Sequence, residues 1–110
     1  MMMVRLRGLA VFAATCGAVG VAFAASATRA DIAGKTICQD NGVTVTYFAN
    51  GSAVSNRFGK GSWMLNGNML TLNAESGYIT NTIEKEGDQF HIYRRLQVGA
   101  NFDTRGHYCN

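Results

Sequence analysis

Two Asn-Gly dipeptides, Asn50-Gly51 and Asn66-Gly67, stand between runs that alternate apolar and polar residues, in a chain of 110 residues with no proline. Asn-Gly tolerates positive φ at both positions, which makes it the strongest short-range signal for a tight β-hairpin. Val43 to Ala49 (VTVTYFA) is β-branched and aromatic, and Ser52 to Phe58 returns after the first dipeptide. Pairing residue 49 with 52 sets Tyr47 against Val54 and Val45 against Asn56. Around the second dipeptide, a two-residue turn sets Trp63 against Leu70 and Leu65 against Asn68. Leu72 follows on that face, which is the core face, with Met64 and Met69 on the other.

A third hairpin runs from Tyr78 to Lys85, turns near Gly87-Asp88 and returns from Gln89 to Leu96. Pairing Glu86 with Gln89 brings Ile83 to Ile92 and Ile79 to Leu96, with Asn81 and Arg94 between them on the same inward face. Gln97 to Ala100 reads as a loop and Asn101 to Cys109 as a last strand with Phe102, Thr104 and Tyr108 inward. Lys35 to Gln39 reads as a short first strand. No stretch beyond the N-terminal region keeps an i, i+3, i+4 apolar rhythm long enough for a helix. The expected fold class is therefore all-β: an antiparallel up-and-down meander of seven or eight strands that closes into a small barrel, removing exposed edges. An open sheet covered by a partner is the alternative.

The N-terminal thirty residues have a different character. Arg5 and Arg7 precede an uncharged run from Gly8 to Ala25, and small residues follow at Ala25-Ser26-Ala27 and Thr28-Arg29-Ala30. Charge, apolar stretch and small-residue exit are the order of a secretory signal. It is expected over residues 1–30, with cleavage after Ala27 or Ala30, leaving one domain over 31–110 and a periplasmic or extracellular product. A membrane span takes about 20 strongly apolar residues. This run is shorter and dominated by Ala and Gly, so no stable span is expected after processing. Cys16 lacks the Leu-like residue that a lipid-attachment motif wants before it.

Removing the signal removes the basic excess. From Asp31 onward seven basic residues face seven acidic ones, so the charge balance gives no reason to expect nucleic acid as a partner. His91, Tyr93 and Arg95 interleave on one strand face as a stacking platform would, but a neutral exported domain reads them as a solvated face.

Two cysteines remain, Cys38 and Cys109, near the two ends of the domain. In an oxidising compartment they read as one disulfide. Closing a loop of about 72 residues, it would contribute roughly 4 kcal/mol in the chain-entropy model, comparable to the ~3–5 kcal/mol a core this small supplies. Cys109 with His107 as metal ligands is the competing reading, but no second close pair is present. No metal and no cofactor are expected.

No nucleophile-elbow, zinc-protease or phosphate-loop pattern occurs, and His91 and His107 are the only histidines. Asp103, Arg105 and His107 share a strand face as a charge ladder. No catalytic residues are assigned. Arg94 is the residue of most interest, since an arginine among Ile83, Ile92 and Leu96 is costly unless it is paired or reaches water. In a lumen it could grip a carboxylate or phosphate in a forked geometry. Arg94, Asn81 and Tyr47 are the candidate ligand-binding residues. The alternatives are that Glu84, Glu86 or Asp103 pairs with Arg94, or that a one-residue slip turns it to solvent.

The run NGSAVSNRFGKGSWMLNGNMLTL resembles the core of small lipocalin-like bacterial barrels, in which a Gly-x-Trp strand leads through a polar turn into Leu-Thr-Leu. It spans residues 50–72, 23 of the 80 residues from 31 to 110, and it implies a barrel able to hold a small ligand. Cys38, the strand Val43–Ala49 and Ser76-Gly77-Tyr78 are similar in order to the MliC-type inhibitors of C-type lysozyme, exported barrels that insert a Ser-Gly segment into a partner's cleft. That resemblance implies Ser76 and Tyr78 as partner-binding residues. It departs from the family in having no residue between Gly77 and Tyr78, and Glu75-Ser76-Gly77 also reads as a plain turn. The expected function is non-enzymatic binding of a small molecule or cell-envelope component. Inhibition of a lysozyme-like enzyme, or a structural envelope role, are the alternatives.

Overall fold

The computed structural model describes residues 24–95 and 101–109. Most of the expected signal, Cys16 within it, and Leu96 with the expected loop Gln97 to Ala100 lie outside those residues. The described residues form nine strands and one helical turn: β1 (Ala25–Ser26), α1 (Arg29–Ile32), β2 (Lys35–Gln39), β3 (Thr44–Tyr47), β4 (Ser52–Ser55), β5 (Gly59–Asn66), β6 (Met69–Ala74), β7 (Gly77–Glu86), β8 (Gln89–Arg94) and β9 (Phe102–Tyr108). From β2 to β9 each strand pairs antiparallel with the next in sequence. β9 then pairs with β2, Tyr108 opposite Ile37 and Gly106 opposite Gln39, and the barrel closes. The expected up-and-down barrel of seven or eight strands is the architecture observed, with eight strands in the closed barrel and β1 as an extra one. The Cys38–Cys109 disulfide joins β2 to the residue after β9, with Cα atoms 5.8 Å apart, so the covalent bond staples the seam where the two ends of the meander meet.

The hairpins realise the sequence pattern with two changes of register. At the first, Phe48 N–H donates to Ser52 O and Gly51, at φ 95°, closes a three-residue loop. This is the bulged turn that places glycine in the left-handed region. Tyr47 therefore faces Ala53 and Val45 faces Ser55, one residue off the expected pairing. Val54 turns outward, and Ala53 and Ser55 are buried in its place. At the second hairpin the turn is Gly67-Asn68 instead of Asn66-Gly67, so Trp63 faces Leu72 and Leu65 faces Leu70. A shift of two keeps every side chain on its expected face, and Met64 and Met69 are exposed. The third hairpin has the expected register, Glu86 opposite Gln89 and Ile83 opposite Ile92.

The lumen is filled by side chains. Ile37, Val45, Ile83, Phe90 and Ile92 are at most 2 % exposed, and Tyr47 meets Trp63 edge-on at 5.5 Å between centroids. Gly106 also points inward, where an added Cβ would lie 3.0 Å from Ile37 Cγ2. The glycine there is what lets β9 approach the core.

The domain extends upstream of Asp31. β1 pairs with β7 at Lys85 and Glu84, just past Thr82, the last residue of β7 that β6 covers. Without β1 those backbone groups would form an open edge. α1 follows as a single turn. Asp31 Oδ2 accepts from Thr28 N–H at 2.8 Å and from the Thr28 hydroxyl at 3.0 Å, an N-terminal capping arrangement. Ile32 is completely buried and belongs to the core with Ala27. The chain thus plugs the barrel at the end where β2 begins.

Candidate functional site

The opposite end of the barrel, where β2 and β8 finish, carries the candidate site. On β7 the inward positions are Ile79, Asn81 and Ile83; on β8 they are Phe90, Ile92 and Arg94. The Ile83–Ile92 pair closes the floor on the core side. Towards the open end, Asn81 and Arg94 line one cavity of about 80 Å³ together with Val43, Arg57, Phe58 and Phe102. Period-two alternation on two strands in fixed register puts both polar side chains on the lumen side, as the sequence implied.

Asn81 Oδ1 is buried with no hydrogen-bond partner, the one such side-chain atom among the described residues. An unpaired buried acceptor costs about 1–3 kcal/mol, so its retention in a core of this size calls for a reason. The Arg94 guanidinium lies 5.1 Å from the centroid of the Phe102 ring, a cation–π contact. Among the described residues no carboxylate lies within ion-pairing distance of Arg94.

The acids that could have neutralised it are engaged on the outer wall. Glu84 accepts from the Tyr93 hydroxyl at 3.1 Å, Glu86 pairs with Arg105, and Asp103 lies 2.9 Å from His91 Nε2. The Tyr93 phenol is held above its ordinary pKa, chiefly by that hydrogen bond to Glu84. His91, Tyr93 and Arg95, read as a solvated face, stack on one another, with His91 and Tyr93 4.6 Å apart and Arg95 5.2 Å from the Tyr93 ring. Their carboxylate partners make that wall a network of internal pairs. Glu84, Glu86 and His91 have ligand atoms within 4.8 Å of one another, a grouping the sequence reading did not single out. Its members already hold Tyr93, Arg105 and Asp103.

Tyr47 sits deeper. It is 3 % exposed and faces a smaller void of about 30 Å³ that it shares with Asn81, Gln39 and Phe58. Burial pushes its phenol well above the ordinary range, so it stays neutral. Asn81 thus faces both voids: Arg94 is at the mouth, and Tyr47 is below it. Gln39, Asn41, Arg57 and Phe58 complete the mouth and were not singled out from sequence. They belong to strand ends and turns, where alternation gives no direction. The signal that could have found them is topological, since their turns fall at the same end of a closed meander as Arg94.

The two residues of the inhibitor-like segment part company. Ser76 lies in the β6–β7 turn, where its backbone N–H and hydroxyl both reach Phe58 O at 3.2 and 3.3 Å. Tyr78 stands on the outer wall, 71 % exposed, beside a shallow groove of about 300 Å³ formed with Met64, Thr71 and Asn73. They do not form one tip.

Comparison with protein-family models, with curated proteins and with solved structures finds no significant match. The barrel architecture is what a lipocalin-like chain would have. Among the described residues no helix is long and apolar enough to cross a membrane.

Proposed function

We propose that this protein is an exported, non-enzymatic barrel that binds a small anionic molecule, or the anionic head of a cell-envelope component, at the open end of its lumen. The observation that carries the reading is the buried, unpartnered Asn81 Oδ1 in the same cavity as Arg94. Arg94 offers forked donors to a carboxylate or phosphate, and Arg57 adds a second cation at the rim. Asn81 Oδ1 asks for a hydrogen-bond donor. The ligand class is therefore a small acid that also carries a hydroxyl or ammonium group, such as a hydroxy- or amino-carboxylate. The volume of about 80 Å³ holds a head group and excludes a drug-sized molecule, for which about 300 Å³ or more is usual.

Replacing Arg94 by Met keeps the stem and removes the charge. Titration calorimetry with a panel of small hydroxy- and amino-carboxylates should give binding to the native protein, and none to R94M with its circular dichroism unchanged. Equal binding by the two proteins would overturn the assignment.

A second reading is favoured by one observation, the exposed Tyr78 beside Met64, which is 60 % exposed. Aromatic and methionine side chains on a grooved surface are common at protein interfaces. On this reading the barrel inhibits a lysozyme-like enzyme. A lysozyme assay with added protein at micromolar concentration decides it: loss of activity supports the inhibitor, and full activity removes it.

A further inference from the structure

We propose that the chain is processed at the Ala24–Ala25 bond, so that the exported barrel begins with the strand Ala25–Ser26. The proposal rests on the export reading above. Signal peptidases recognise small side chains three residues and one residue before the bond they cut. Several places fit that spacing in this sequence, among them Ala22-Phe23-Ala24, Ala25-Ser26-Ala27 and Thr28-Arg29-Ala30. The residue pattern ranks them weakly. The fold ranks them strongly.

A cut after Ala27 would take away β1 and leave Glu84 and Lys85 of β7 with an open backbone edge. It would also remove Ala27, which is 2 % exposed and donates its N–H to Ile83 O. A cut after Ala30 would in addition remove Thr28, whose backbone and hydroxyl both bond Asp31, and so dissolve the cap of α1. Arg29 would go with it. Its guanidinium donates to Ala49 O at 2.8 Å and lies 4.6 Å from the Trp63 ring centroid, which ties the entering chain to the β3–β4 turn and to the largest core side chain. Ala25 and Ser26 in the strand pairing, Ala27 and Ile32 in the core, Thr28 and Asp31 in the cap and Arg29 at the β3–β4 turn therefore all have work in the barrel.

Ala24, by contrast, is exposed and precedes the first strand pairing. Hydrolysis there adds one water across the peptide bond, giving the Ala24 carboxylate on the released signal and the Ala25 amine on the barrel. The product keeps Arg29, so eight basic side chains face seven acidic ones, a near-neutral balance that still argues against nucleic acid as a partner.

The test is the intact mass of protein exported by cells that express the full chain. A mass beginning at Ala25 is the expected result. One beginning at Thr28 or Asp31 would overturn the site while leaving export standing, and one beginning at Met1 would overturn the export reading itself. Two variants separate the recognised residue from the structural one. Ala24→Leu should abolish the Ala25 product, because a branched side chain does not fit the position before the bond. Ala27→Leu should leave the cut at Ala25, and a shift of its site, or normal processing of A24L, would overturn the proposal.

Discussion

The Tyr108 hydroxyl donates to the backbone carbonyl of Asp31 at 2.7 Å, joining the last strand to the helical turn that plugs the barrel. Tyr108 also lies edge-on to Phe90 at 5.2 Å, and Lys35 Nζ approaches its ring at 5.1 Å. Its phenol is held above its ordinary pKa, first by burial and then by Asp31 and Asp88. Tyr108→Phe keeps the ring and deletes one hydrogen bond. It should lower the unfolding free energy by about 1 kcal/mol, read as a lower urea midpoint with an unchanged slope.

Asp31 makes acid stability testable. The backbone N–H of Thr28 is the chief cause that holds its carboxyl below the ordinary 3.8, with the Thr28 hydroxyl and Lys85 acting in the same direction against burial. A carboxyl depressed in the folded state stabilises the fold above its unfolded pKa, and that contribution disappears as pH falls through the folded value. The native protein should therefore lose stability on acidification below about pH 4. Asp31→Asn should be less stable at neutral pH and show a shallower loss over that interval in thermal melts at stepped pH.

The Cys38–Cys109 bond staples the β2–β9 seam. Replacing both cysteines by serine frees the two ends of the meander in the unfolded chain. The loss should be about 2–5 kcal/mol, measured by denaturant unfolding with and without reductant. Reductant should weaken the native protein and leave the double variant unchanged.

Gly61 is held by proximity. A Cβ there would come within 2.0 Å of Asn73 O and 2.6 Å of Ala74 Cα, both backbone atoms of β6. Strand pairing itself would have to open. Gly61→Ala should destabilise by about 1–3 kcal/mol or more, and hydrogen exchange should rise first at the β5–β6 amides.

Asn81→Leu separates stability from binding. Leucine has nearly the same shape and removes the unpaired acceptor, so the empty barrel should gain about 1–3 kcal/mol. Binding of a hydroxy- or amino-carboxylate should be lost at the same time. A gain in melting temperature together with lost calorimetric binding is the expected pair of outcomes.

Much of the barrel was legible from residue order. Ile83, Ile92, Leu70 and Leu72 lie inward as alternation requires, and the third hairpin takes the register with Glu86 opposite Gln89, one that the sequence offered without fixing it against a one-residue slip. The first hairpin was not legible to the residue. Asn50-Gly51 suits either the centre of a two-residue turn or the last two places of a three-residue loop. The second form occurs here because it turns the small Ala53 and Ser55, instead of Val54, towards a lumen already occupied by Tyr47 and Trp63. α1 and β1 were missed because four helical residues and two strand residues carry no measurable period, and because their small and polar side chains read as the exit of a signal.

Outside the returning strand of the first hairpin, the sequence by itself determined which side chains face inward, and it determined the order of the hairpins and the cysteine pair, because two-residue periodicity and turn chemistry act between near neighbours. Tertiary structure alone decided that β9 meets β2, that α1 plugs one end, and that Gln39, Asn41, Arg57 and Phe58 join Asn81 and Arg94 at the other. It also decided that Glu84, Glu86 and Asp103 spend their charge on the outer wall, away from Arg94. Those choices depend on contacts between residues far apart in the chain, which form only when the meander curls and its edges pair.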